Sequence, residues 1–195
     1  FLINDPDFEA KAGEDAAGKF GGRAMTYYGR WTYKFEEAAS QGAVGFIVIH
    51  ETAPASYGWA TVKNSNTNVI FDIIRANPSE AHAPLEAWIQ RDKAAELIKA
   101  GGYDFETLKT QAQSRDFKPV ELKGVTFSTD YAVDASKIVS KNVVGIVPGA
   151  TRPNETVVYT SHWDHLGVGG ADAKGDTIYN GAVDNADGVA TMIEI

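Results

Sequence analysis

The chain contains no cysteine. Disulfide staples, thiolate nucleophiles and cysteine-ligated zinc are therefore excluded, whatever compartment the protein occupies. Positive charge is scarce as well: 18 Lys and Arg stand against 26 Asp and Glu, for a net charge of -8. Holding a phosphate backbone needs clustered cations, so this balance argues against a nucleic-acid partner. Long apolar runs are missing too. The longest, AVGFIVI over Ala43–Ile49, falls far short of the ~20 residues that span a bilayer, and no internal repeat or low-complexity tract is present. Histidine is rare, four in 195 residues, which makes the place of each one informative.

What is present is a globular composition, 44% hydrophobic, enough for one sizeable core or two small ones. FLIN at Phe1–Asn4 predicts a short buried strand, and a polar, glycine-rich loop follows it. In WTYKFEEAASQG, Phe35, Ala38 and Ala39 recur at helical spacing and Gly42 supplies a stop, which predicts a short helix. AVGFIVI predicts a strand with His50 and Glu51 at its C-terminal mouth, so strand, helix and strand form a small parallel unit. Residues 52–85 read mostly as loop, apart from NVIFDII, which predicts a strand. RDKAAELIKAGG predicts a helix with an Ala94, Leu97, Ile98 stripe stopped at Gly101 and Gly102, and DFETLKTQAQ a second helix capped by Asp104. From DFKP at Asp116–Pro119 the character changes: alternating, β-branched segments predict extended strands, ETVVYTSHWDH another, and NADGVATMIEI a helix. The domain boundary is expected near Phe117.

Two of the histidines fall in TSHWDHLG, Thr160–Gly167. There the apolar VVYT delivers His162 to a strand end, where α/β sheets place ligands and catalysts. Asp164 lies two residues on and points to the same side of an extended chain, so it can accept the ring's second N–H. A carboxylate behind an imidazole fixes its tautomer and raises its basicity, as a metal ligand requires. Asp184 follows twenty-two residues after His162, in GAVDNADG, ahead of a helix whose stripe runs through Val189, Met192 and Ile193. Small residues at Gly181 and Ala182 permit close approach to a bound ion, and the helix N-terminus favours negative charge beside it. By itself GAVDNADG reads equally well as an Asx-rich turn capping a helix. Joined to His162 and Asp164, without any cysteine, it fits a hydrolytic zinc site in which Asp184 bridges two cations.

SHWDH followed by GAVDNADG resembles the M28 family of dinuclear zinc metallopeptidases, in which a strand ends in His-x-Asp and Gly-Ala-x-Asp-Asn-x-x-Gly opens a helix. The earlier YKFEEAASQGAVGFIVIHE and PLEAWIQRDKAAELIKAGG resemble the protease-associated (PA) domain often inserted in such enzymes. Together the two resemblances imply an α/β protein: a PA-type α+β domain over 1–117, N-terminally incomplete, then over 118–195 the beginning of a mixed-sheet α/β zinc exopeptidase domain. They imply that His162 ligates one zinc, that Asp164 orients it, that Asp184 bridges both zinc ions, and that the Asp184–Asn185 peptide is cis. The family's Glu-Glu pair, further Asp ligand and late His ligand have no matching position before Ile195. The chain is thus expected to be a fragment of an extracytoplasmic aminopeptidase that hydrolyses N-terminal peptide bonds of a peptide substrate through a metal-bridged water, itself inactive. Two rivals stand beside this: a non-catalytic receptor on the same fold, and a carboxypeptidase or glutaminyl cyclase-type activity.

The remaining candidates carry blander expectations. His165 takes a solvent-facing or supporting place near the metal. His50 with Glu51 reads as structural, His82 as an exposed loop residue, and Tyr27, Tyr28, Trp31 and Tyr33 as packing in the core or between domains. VGGADAKGD matches neither a P-loop nor an EF-hand, since counting from Asp172 puts Val183 where a bidentate glutamate belongs.

Overall fold

In the computed structural model, which describes residues 4–67 and 69–195, the chain divides into two compact units, Phe1–Ser128 and Thr129–Ile195. The secondary structure is mixed α/β with small sheets. The first unit carries helix α1 (Trp31–Ser40), strand β1 (Phe46–His50), the short helices α2 (Thr52–Ala55) and α3 (Trp59–Asn66), strand β2 (Glu86–Gln90), and helices α4 (Arg91–Ala100) and α5 (Phe105–Gln111). The second carries the two-residue strands β3 (Gly167–Val168) and β4 (Ile178–Tyr179), then helix α6 (Asp187–Glu194). The division falls at Ser128/Thr129, and the stretch after Phe117 lies against α4: a Cβ added at Gly101 would sit 2.8 Å from that of Leu122.

The core of the first unit follows from two periodicities meeting. In α1 the helical spacing buries Phe35 and Ala38, and in β1 the alternation buries Phe46, Val48 and His50. Val48 is fully enclosed. Phe35 sits edge-on to Phe46 with ring centroids 5.5 Å apart, and Trp31 bridges Phe35 (5.8 Å) to Trp88 (5.9 Å). Helix α1 ends as its glycine requires: Gly42 takes φ +72°, its N–H reaches the Ala39 carbonyl (2.9 Å), and the Ala43 N–H reaches Ala38 (3.0 Å). Helix α4 repeats the device with Gly102 and Tyr103, which return to Lys99 (3.0 Å) and Ile98 (3.1 Å). Asp104 caps α5 by accepting from the Thr107 N–H at 2.8 Å.

AVGFIVI does enter a parallel pair, but its partner is β2 and not FLIN. Strand β1 pairs in parallel with β2, Val48 opposite Trp88 and His50 opposite Gln90. Residues 1–3 of FLIN lie outside the described residues, and Asn4 is buried in a bend, its side chain donating to the Pro54 carbonyl at 2.7 Å. The glycine-rich loop is organised by two buried carboxylates. Asp7 accepts the N–H groups of Phe20 and Gly22, each at 3.0 Å, and Asp5 accepts both the N–H (2.8 Å) and the hydroxyl (2.7 Å) of Thr26. These carboxylates satisfy backbone donors that no helix or sheet serves.

Several expected strands form no ladder among the described residues. Asn68 of NVIFDII is outside the described residues, and residues 69–74 lie exposed and pair with no strand among the described residues. Residues 118–166 likewise form no ladder among the described residues. β-branched composition makes extended backbone favourable, but a strand is completed only by a neighbour in register. Of the α4 stripe, Ala94 is buried while Leu97 stays exposed.

The two histidines of the first unit titrate in opposite directions. His50 is 4% exposed, stacked on Tyr57 (5.6 Å) and flanked by Trp59 (5.8 Å) and Trp88 (6.3 Å). Neither ring nitrogen meets a partner at hydrogen-bonding geometry. Burial lowers its pKa below the ordinary 6.5, and the Tyr57 backbone and the Glu51 charge oppose the shift without cancelling it. His82 is clamped between Asp72 (Nε2–Oδ2 2.7 Å) and Glu86 (Nδ1–Oε1 3.1 Å). Partial burial works against its charge, but hydrogen bonds to Glu86 and Asp72 outweigh this and raise its pKa. The His50 contribution to stability is present above pH 6.5 and falls away on acidification, because the unfolded chain then binds the extra proton. The His82 contribution is present below pH 6.5 and is lost as pH rises through the raised pKa. The thermal midpoint of this unit should therefore peak near that pH; His50→Phe should flatten the acid limb alone and His82→Gln the alkaline limb alone, in melts run from pH 5 to 9. Identical limbs in wild type and both variants would discard the assignment.

Candidate metal centre

The backbone brings His162 and Asp184 together. His162 Nε2 lies 2.9 Å from Asp184 Oδ1, well inside what two ligands of one ion can span with bonds near 2 Å. On the other side of the ring, Nδ1 donates to the backbone carbonyl of Asp164 at 2.6 Å, while the Asp164 carboxylate stands 3.4 Å away. Asp164 is thus next to the ring as expected, but its main chain makes the shorter bond. A proton held on Nδ1 leaves the Nε2 lone pair directed at the Asp184 side.

Three features place Asp184. Gly181 adopts φ +65°, which lets the chain turn sharply after β4. The turn Ala182–Ala186 is closed by the Ala186 N–H on the Gly181 carbonyl at 3.1 Å, with Asp184 and Asn185 in non-helical backbone. The peptide bond between them is cis. Ser161 then ties the turn to the segment bearing His162, its hydroxyl donating to the Asn185 carbonyl at 3.1 Å. Gly188 in the first turn of α6 permits this approach: a Cβ there would overlap the Asn185 side chain and come within 2.8 Å of Ser161 Oγ. Ser161 and Gly188 are supports whose contacts spacing alone does not reveal, although Gly188 is the last glycine of the Gly-Ala-x-Asp-Asn-x-x-Gly pattern.

The electrostatics agree with the geometry. The pKa of His162 is raised, first by its bond to the Asp164 carbonyl and then, against slight desolvation, by Asp184. A proton and a divalent cation therefore compete for the same nitrogen. His165 stands on the far side of Asp184, its Nδ1 3.8 Å from Oδ2. A cavity of about 180 Å³ is lined by His162, Trp163, Asp164, His165, Asn180, Gly181, Asn185, Ala186 and Val189. Among the described residues no group of three or more His, Cys, Asp or Glu side chains is placed to hold a metal ion.

The other candidates sit elsewhere. A wider depression of about 770 Å³ lies along α4 and α5, but the Arg91 and Glu106 charges on its wall are already paired with each other. His50 is enclosed, and Glu51 is engaged by Lys109 (2.9 Å) and Arg91 (3.2 Å). Tyr28 and Tyr33 meet edge-on at 5.0 Å on an exposed face, where Tyr27 donates to Glu36. Of that aromatic group only Trp31 reaches the core rings. In the loop, Asp172 Oδ1 accepts the N–H groups of Lys174 (2.7 Å) and Asp176 (3.0 Å), an Asx turn that occupies the oxygen locally.

No helix among the described residues is long and apolar enough to cross a membrane. No curated protein and no solved structure matches the chain. Residues 142–195 match the model of peptidase family M28, and the matched span contains His162, Asp164 and Asp184 together with the turn that joins them. The likeness to peptidase family M28 is confined to residues 142–195.

Proposed function

We propose that this chain contributes one side of the centre of a zinc-dependent exopeptidase, acting on free amino-terminal peptide bonds. The observation that carries the reading is the convergence of His162 Nε2 on Asp184 Oδ1 at 2.9 Å while Nδ1 is held by a backbone carbonyl at 2.6 Å. That donor set, one imidazole nitrogen and one carboxylate with no sulfur, suits a zinc ion of hydrolytic type. Zinc would be held by His162 and Asp184 and would supply Lewis-acid polarisation of the scissile carbonyl and a water of lowered pKa.

The residues of the chain then have separate tasks. His162 presents a neutral nitrogen, and Asp164 keeps the proton on the opposite nitrogen through its carbonyl, with its carboxylate in reserve at 3.4 Å. Asp184 offers two oxygens from a turn with little side-chain bulk around it, so a second ion is reachable without rebuilding the backbone. Residues 1–117 we read as a PA-type domain.

Two converging donors leave most of a tetrahedral shell to other ligands. Zinc binding by this chain alone should therefore be weak, and the chain alone should not hydrolyse peptides. Calorimetry with ZnCl2, paired with an assay on free-amino and amino-blocked peptides, tests this. Tight stoichiometric binding or turnover would overturn the one-sided centre, and turnover confined to the amino-blocked peptide would overturn the aminopeptidase reading as well.

A further inference from the structure

We propose that His165 is a positioning residue for the Asp184 carboxylate, steadying Oδ2 while Oδ1 faces the metal-side nitrogen of His162. The inference rests on the zinc reading above and extends it to a residue with no role in that reading.

Three observations carry it. First, the oxygens are divided: Oδ1 faces His162 Nε2 at 2.9 Å, and Oδ2 faces His165 Nδ1 at 3.8 Å. The second separation is too long for a direct hydrogen bond and within the reach of charge attraction or one bridging water. Second, His165 is seated. Its side chain is 24% exposed against 47% for His162, and it fills the space that a side chain at position 181 would take. A Cβ added at Gly181 would lie 2.7 Å from both Cβ and Cγ of His165. The left-handed glycine therefore turns the chain and also makes room for the ring. Third, Asp184 itself is weakly restrained, since its side chain is 72% exposed and the surrounding turn is non-helical. A carboxylate that must offer its two oxygens in different directions gains from a second anchor, because free rotation about χ2 would otherwise swap them.

The test is titration of the chain with CoCl2, read both as visible absorption and as heat. Wild type should give a d–d band whose intensity saturates weakly, and His162→Ala should remove it. His165→Ala should weaken the apparent Co2+ affinity about tenfold, the scale set by lost supports around metal ligands. It should also alter the band shape, with His165→Gln restoring much of both. Far-ultraviolet dichroism checks that each variant keeps its secondary structure.

The outcomes separate cleanly. If His162→Ala leaves the cobalt signal unchanged, the zinc reading fails and the present inference fails with it. If His162→Ala abolishes the signal but His165→Ala matches wild type in affinity and band shape, only the positioning role is overturned. If His165→Gln binds as poorly as His165→Ala, the ring acts by filling space beside Gly181 and the polar role is wrong.

Discussion

Phe35→Ala should destabilise the first unit by about 3–5 kcal/mol, the usual loss for emptying a buried phenylalanine site. Phe35 is the point where the α1 stripe meets the β1 face: it touches Phe46 at 5.5 Å and Trp31 at 5.8 Å, within the cluster that holds Ala38, Val48 and Ala55. Nothing near it can collapse easily. The opposing positions are a strand residue fixed by its ladder and a tryptophan wedged against Trp88 at 5.9 Å. A unit of this size should lose roughly 10–20 °C in thermal midpoint, read by calorimetry or by urea unfolding at constant m-value. A loss below about 1 kcal/mol would mean the site relaxes and the core lies elsewhere.

The second large effect concerns the metal centre. His162→Ala and Asp184→Asn should each lower zinc affinity by more than about tenfold, since the first removes a proposed ligand and the second trades an anionic two-oxygen donor for a neutral amide, while the loss of a mere supporting group already has that scale. Asp164→Asn should cost less than either. The bond that orients His162 comes from the Asp164 backbone carbonyl at 2.6 Å, which the substitution leaves in place, whereas the carboxylate stands at 3.4 Å. Competition calorimetry against a chelator gives the ranking. Equal loss in Asp164→Asn and His162→Ala would show that the side chain holds the ring after all.

That ranking marks where the sequence was legible and where it was not. His162 and Asp164 could be paired because the His-x-Asp spacing acts over a few residues, and Asp184 was joined to them by the resemblance of GAVDNADG. Which oxygen of Asp164 meets the ring is a matter of a fraction of an ångström, and spacing does not carry it. The same division runs through the fold. Gly42, Gly102 and Asp104 announced their helix ends because each acts on backbone groups within five residues. The EAWIQ strand was missed because five residues of mixed pattern have meaning only opposite Phe46–His50. Asp5 and Asp7 look like ordinary loop acids, and their burial follows from partners up to twenty-one positions away. NVIFDII and the β-branched stretch after Lys118 show the converse: local preference was read as strand, and no neighbour in register completes one among the described residues.

The extended stretch around Val139–Val147 bears on how the protein behaves when concentrated. Val139 is 91% exposed and Val147 95%, and the intervening residues form no ladder among the described residues, with Lys141 as the one charged residue between them. Such a segment is a template for stacking identical chains in register. Turbidity on storage, and dye-binding fibrils seeded by a peptide of this segment alone, are the natural failure mode of the isolated chain.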